Sequence, residues 1–138
     1  DNNGRIFYAI GRSVIMAEIR IKRVYEAPTE DDGFRVLVDR LWPRGISKEH
    51  AALADWWKDI APSPELRKWF GHKAENFAEF TEKYRTELST GSAAPAHMKT
   101  AAEHLAKGEN VTLLYGAKDP KLNQAVVLRD WMNGMMDK

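Results

Sequence analysis

The sequence contains no cysteine. That absence excludes disulfides, thiolate nucleophiles and cysteine-ligated metal centres, and makes a reducing cytoplasm the expected compartment. No apolar run approaches the roughly 18 residues of a membrane-spanning helix, so no membrane partner is expected. Charge of either sign is not in excess. With 21 basic and 20 acidic side chains the formal net charge is +1, which disfavours a broad basic surface for nucleic acid but leaves room for a local basic pocket. There is no Walker A sequence and no glycine-rich strand-to-helix loop for a dinucleotide or S-adenosylmethionine, so no cofactor is expected. His50, His97 and His104 show no ligand spacing, which leaves a metal site without support. No serine sits in a nucleophile elbow.

What is present is a globular balance, 43% hydrophobic and 30% charged residues over 138 positions, enough for one domain with its own core. The opening DNNGRIFYAIGRSVI lacks the apolar segment and small-residue cleavage site of a secretory signal. Residues 1–15 read as an extension, upstream or artificially added, ahead of a single domain over residues 16–138. Ile19, Ile21 and Tyr25 alternate with Arg20, Lys22 and Glu26, the pattern of a half-exposed strand. Phe34–Val38 and Val111–Tyr115 are short, nearly continuous apolar runs, as in parallel strands buried on both faces.

Helices fill the interval. Ser47 is expected to cap a short helix reaching about Ala54. In SPELRKWFG, Ser63 is the N-cap, Pro64 the first helical residue and Gly71 the stop. Phe77, Phe80, Tyr84 and Leu88 recur at helical spacing over about 74–88. Pro95 opens a further helix that Gly108 closes. Asp119-Pro120 is expected to start a buried helix running to about Met132. Strand, strand, several helices, strand, helix predicts an α/β fold, a single compact domain with a small, mainly parallel sheet covered by helices.

The chemistry concentrates at VDRLWPRGISKEH. If the two apolar strands are parallel, their carboxyl ends share one edge of the sheet, where ligands of open α/β sheets bind. Asp39 and Arg40 end the first strand, and Lys118 and Asp119 follow the second. Arg44, Gly45 and the helix start at Ser47 suggest a cradle for phosphate or carboxylate. On this reading Arg40 and Arg44 hold an anion with Lys118 assisting, Trp42 walls the pocket, and Asp39 orients the ligand or abstracts a proton. His72, beside aromatics and bases, is the second candidate for acid–base work. A purely architectural reading stands beside it: Asp39 pairs with Arg40 or Arg44 to pin a turn, Trp42 and Pro43 pack, and Asp119 caps a helix.

The segments IRIKRVYE, DDGFRVLVDRLWPRGISKE, WWKDIAPSPELRKWFGH, FTEKYRTEL and VTLLYGAKDPKLNQAVVLRDWM, spanning about residues 18–132 in order, resemble the YeaO-like family of small bacterial proteins, a domain of unknown function. The resemblance implies one α/β domain and a mostly cytoplasmic protein, and it implies no particular activity. The expected function is a small enzyme or ligand-binding domain for an anionic, phosphate- or nucleotide-containing small molecule at the sheet edge. Two alternatives are a nucleic-acid-binding accessory module and a protein-interaction module with structural arginines. Nothing in the sequence specifies an oligomeric state.

Overall fold

Alternation of side chains across strands explains the architecture. In the computed structural model, which describes residues 6–10 and 13–137, the chain begins with an antiparallel pair, β1 (Ile6–Ile10) and β2 (Ser13–Ala17). The extension expected over residues 1–15 thus lies partly outside the described residues. β3 (Ile19–Arg23) and β4 (Phe34–Leu37) follow. Next come the single-turn helix α1 (Lys48–Ala51) and the two-residue strand β5 (Asp55–Trp56). Helices α2 (Pro64–Phe70), α3 (Phe77–Thr90) and α4 (Ala94–Ala106) lead to β6 (Val111–Tyr115), and α5 (Gln124–Met136) ends the fold. The second sheet is wholly parallel, with strand order β3-β6-β4-β5. The α/β class and the parallel sheet are as the sequence predicts.

The register places Ile19, Val111 and Phe34 in one row and Ile21, Leu113 and Val36 in another. With side chains alternating across the sheet, these rows face one way, toward the main core. There they meet Leu66 and Phe70 of α2, Phe80, Tyr84 and Leu88 of α3, Ala101 and Leu105 of α4, and Ala125 and Leu128 of α5. Leu37 and Leu114 face the other way. They form a smaller cluster with Val24 and Ala51, edged by Trp42, Ile46 and Trp56. Four helices therefore cover one face, while α1 and loops cover the other.

The helix ends follow from local chemistry. Ser63 Oγ accepts the Leu66 N–H at 3.1 Å, Pro64 occupies the first turn, and Gly71 stops α2 at φ +54°. α1 stops after Ala51, earlier than expected, because Ala52 takes a left-handed conformation (φ +48°). α5 also departs from expectation. Asp119 Oδ1 accepts the N–H groups of Lys121 and Leu122, holding residues 119–122 as a turn, and the helix starts only after Asn123, whose Oδ1 accepts the Val126 N–H. An aspartate that satisfies the N–H groups just after itself competes with the helix it was expected to begin.

On the sparsely covered face, Asp32 (2% exposed) and Arg35 (5% exposed) form a buried ion pair at 2.5 Å. Lys22 Nζ lies 3.1 Å from both Asp32 oxygens, and Thr29 donates to Asp32 from its backbone N–H and its hydroxyl. Arg35 spends its remaining donors on the carbonyls of Ala51 and Ala52. Burial pushes the Asp32 pKa up, but the hydrogen bonds from Thr29, Lys22 and Arg35 outweigh it and bring it down to about 2. This network ties the loop before β4 to α1.

Removing one partner of a buried pair costs roughly 3–5 kcal/mol because the other charge is left uncompensated. Asp32→Ala is therefore expected to lower stability by about that amount in denaturant unfolding. A depressed carboxylate pKa stabilises above its unfolded value and loses that contribution as pH falls through the folded value. The wild type should lose roughly 2–3 kcal/mol between about pH 4 and pH 2 through this group, and the variant should lack that step.

Candidate functional site

β4 and β6 are neighbours, yet the chain leaves them toward opposite faces of the sheet. From β4 it runs to α1, whose Ala51 packs on the Leu37–Leu114 side. From β6 it runs to α5, whose Ala125 and Leu128 pack on the Val36–Leu113 side. Diverging connections open a crevice beyond the strands' carboxyl ends, the usual ligand position in open α/β sheets. A cleft of about 390 Å³ lies there, lined among others by Tyr25, Asp39, Trp42, Arg44, Arg67 and His72. That volume is within the range of small-molecule sites.

Asp39 sits at the parting of the strands. Its Oδ2 accepts the Gly116 N–H at 2.9 Å, and its Oδ1 accepts a short hydrogen bond from Gln124 Nε2 at the first turn of α5. The backbone carbonyl of Asp39 accepts Trp56 Nε1–H at 2.6 Å. Neither Arg40 nor Arg44 pairs with the carboxylate, so the arginine lock considered from sequence is absent. Burial raises the Asp39 pKa to about 6; the Gly116 and Gln124 hydrogen bonds and the more distant Arg67 oppose the rise without cancelling it. Gly116 is required for this contact, since a Cβ there would lie 2.9 Å from Asp39 Oδ2.

The cations divide into two kinds. Arg40 is half-buried and donates to the carbonyls of Pro62 and Ala61, both at 3.1 Å, anchoring the segment before α2. Arg44 and Arg67 are exposed on the cleft, and neither guanidinium has a hydrogen bond or ion pair among the described residues. The Arg44 loop is nonetheless fixed: Tyr25 Oη donates to the Arg44 carbonyl at 2.7 Å, and Trp42 Nε1 donates to the Ile46 carbonyl at 2.8 Å. Trp42 stands edge-on to Trp56 with ring centroids 5.6 Å apart. His72, left-handed at φ +59°, is exposed on the cleft beside Phe70, 5.7 Å between ring centres.

Of the residues singled out from sequence, Asp39, Arg40, Trp42, Arg44 and His72 line this one cleft. Gly45, Lys118 and Asp119 do not. Gly45 turns the chain at φ +77° in open space, Lys118 is exposed, and the Asp119 carboxylate is engaged by its own turn. α1 is a single turn, too short to build an anion cradle at its start. Sequence reasoning missed Arg67, Gln124 and Gly116. Gln124 had a signal, as a polar residue opening an otherwise apolar helix; Arg67 resembled any exposed helix cation. The described residues contain no cluster of acids and histidines suited to a metal ion, and no described helix is long and apolar enough to cross a membrane.

A carboxyl group whose folded pKa is raised destabilises the fold in its ionised form. Stability through Asp39 is accordingly greatest below about pH 4 and declines as pH rises toward the folded value near 6. The shift is worth on the order of 3 kcal/mol at most. Asp39→Asn keeps an acceptor for Gly116 and should remove this decline, so the difference in unfolding free energy between variant and wild type should grow from pH 4 to pH 7. Parallel curves across that range would contradict the assignment.

Comparison with known proteins supplies the family. The model described as the inactive DUF488-N3 subclade (DUF488-N3i) matches residues 18–138. The chain is 45% identical to the uncharacterised protein YeaO of Escherichia coli K12 over 117 residues, 85% of this chain and 98% of that protein. It is 40% identical to the uncharacterised protein Rv3073c of Mycobacterium tuberculosis H37Rv over 116 residues, 84% of this chain and 94% of that protein. No solved structure matches the chain. A family model that spans nearly the whole chain and relatives similar along almost their full lengths establish that the chain belongs to the YeaO-like family.

Proposed function

We propose that this protein is a ligand-binding domain for an anionic small molecule, phosphate- or nucleotide-containing, held in the cleft beyond β4 and β6. One observation carries the reading. Three guanidiniums, those of Arg40, Arg44 and Arg67, line a single cleft, and none of them forms an ion pair with a described acid. Like charges gathered in a concave surface focus a positive potential and attract an anion. Guanidinium forks also match the oxygen geometry of phosphate and carboxylate.

The family's description as an inactive subclade favours binding over turnover. In this reading Arg44 and Arg67 contact the anion, Arg40 contributes charge from an anchored position, and Trp42 and Tyr25 form apolar walls. His72 borders the entrance as a further donor. The near-balanced net charge of +1 fits a confined anion site better than a nucleic-acid surface, which needs many phosphate contacts.

Arg44→Ala and Arg67→Ala test the assignment because both side chains are exposed and neither guanidinium has a hydrogen bond or ion pair among the described residues. Each substitution should change stability by less than about 0.5 kcal/mol. Each should weaken anion binding by roughly 1.5–3 kcal/mol, the loss of a charge-assisted hydrogen bond. Arg40→Ala should instead lower the melting temperature, since it strips two carbonyls of their donor. Thermal unfolding with phosphate, sulfate and nucleoside monophosphates reads both effects. A wild type that none of these anions stabilises would overturn the proposal.

A further inference from the structure

The anion-binding reading leaves the inner end of the cleft unexplained. Asp39 contributes a carboxylate there, and among the described residues it has no cationic partner within ion-pair distance. Arg40, its neighbour in sequence, is turned to the carbonyls of Ala61 and Pro62. Each Asp39 oxygen accepts one hydrogen bond from a neutral donor, the Gly116 N–H on one side and the Gln124 amide on the other. An ionised carboxylate has about four acceptor positions, so about two remain, and Asp39 lines the cleft.

This arrangement restricts what can lie against Asp39. An anionic group would be repelled by the carboxylate. An ammonium group would have to enter past three guanidiniums of the same sign. A neutral hydrogen-bond donor satisfies both conditions, and hydroxyls are the donors that can also repeat along a small ligand. The side walls agree. Tyr25 Oη and Trp42 Nε1 are already committed to the carbonyls of Arg44 and Ile46; the Arg23 guanidinium lies 4.5 Å over the Tyr25 ring, so it is chiefly Trp42 that offers carbon surface suited to the C–H face of a sugar. Size also agrees: at about 30 Å³ per water, a cleft of about 390 Å³ holds far more than an isolated oxyanion.

We infer that the cleft takes a phosphate ester of a polyol, with Arg44 and Arg67 holding the phosphate and Asp39 accepting a hydrogen bond from a ligand hydroxyl. The inference rests on the anion-binding reading and adds a second pole to it. Asp39 is the specificity element: it rejects ligands whose inner end carries no donor. Its charge also opposes any anion in the cleft, inorganic phosphate included.

Calorimetric titration of the full chain at pH 8, where Asp39 is ionised, separates these terms. The probes are inorganic phosphate, ribose 5-phosphate and n-pentyl phosphate, the last two sharing a five-carbon body and one phosphate. Ribose 5-phosphate should bind the wild type at least about tenfold more tightly than n-pentyl phosphate, the worth of one hydrogen bond to a charged acceptor. In Asp39→Asn that preference should shrink to a few-fold, while inorganic phosphate and n-pentyl phosphate bind more tightly than before because a repelling charge is gone. A merely structural Asp39 would weaken all three probes together, which would overturn the inference. Equal wild-type affinity for the two esters would also overturn it and leave the anion site standing. Failure of all three probes, inorganic phosphate included, would remove both.

Discussion

The Asp39 carboxylate joins the exit of β6 to the start of α5. It takes a hydrogen bond from the first residue after β6 and another from the first turn of α5, while its own backbone carbonyl holds Trp56 of β5. The chain leaves β4 and β6 toward opposite faces, and this contact lies just beyond the last bond between them, Val38 N–H to the Leu114 carbonyl at 3.0 Å. The contact fixes how far they part, and so fixes the inner end of the cleft. It also explains a glycine at 116, where a methyl group would collide with the carboxylate. The aromatic and proline-containing loop after Asp39 then has a defined origin from which to present Arg44.

Asp32 and Asp39 show how the same side chain serves two purposes on one sheet. Both are withdrawn from water, and burial alone raises a carboxyl pKa. Asp32 receives Lys22, Arg35 and two bonds from Thr29, and its pKa falls to about 2. Asp39 receives only neutral donors, and its pKa rises to about 6. The first is ionised, compensated by two cations, and welds a loop to α1. The second has spare acceptors and no ion pair among the described residues, although arginines stand nearby. A fold that needed only a lock at Asp39 could have turned Arg40 onto it, as Arg35 is turned onto Asp32.

Much of this was legible in the sequence, for identifiable reasons. Apolar runs at 34–38 and 111–115 announce buried strands, and the Ser63, Pro64 and Gly71 signals bracket α2 almost to the residue. These features depend on neighbours a few residues apart. The two-residue strand β5 is too short to show a period. The start of α5 was misplaced because Asp119 and Asn123 are both good caps, and only the turn closed by Asp119 decides between them. Arg67 and Gln124 reach the cleft through tertiary packing, from helices that sequence spacing cannot bring together. The Asp32 lock was hidden inside an ordinary-looking turn, TEDDG.

The arginines differ in what holds them, and that difference says more about the cleft than their number. Arg40 is a structural cation, its donors used by two carbonyls. Arg44 has a backbone fixed by Tyr25 and Trp42 while its guanidinium has no hydrogen bond or ion pair among the described residues. Fixing the backbone of a loop whose charged tip stays exposed gives the fold little, because exposed long side chains gain little from order in water. It does matter to a ligand, since a loop already in position spares the cost of ordering it on binding.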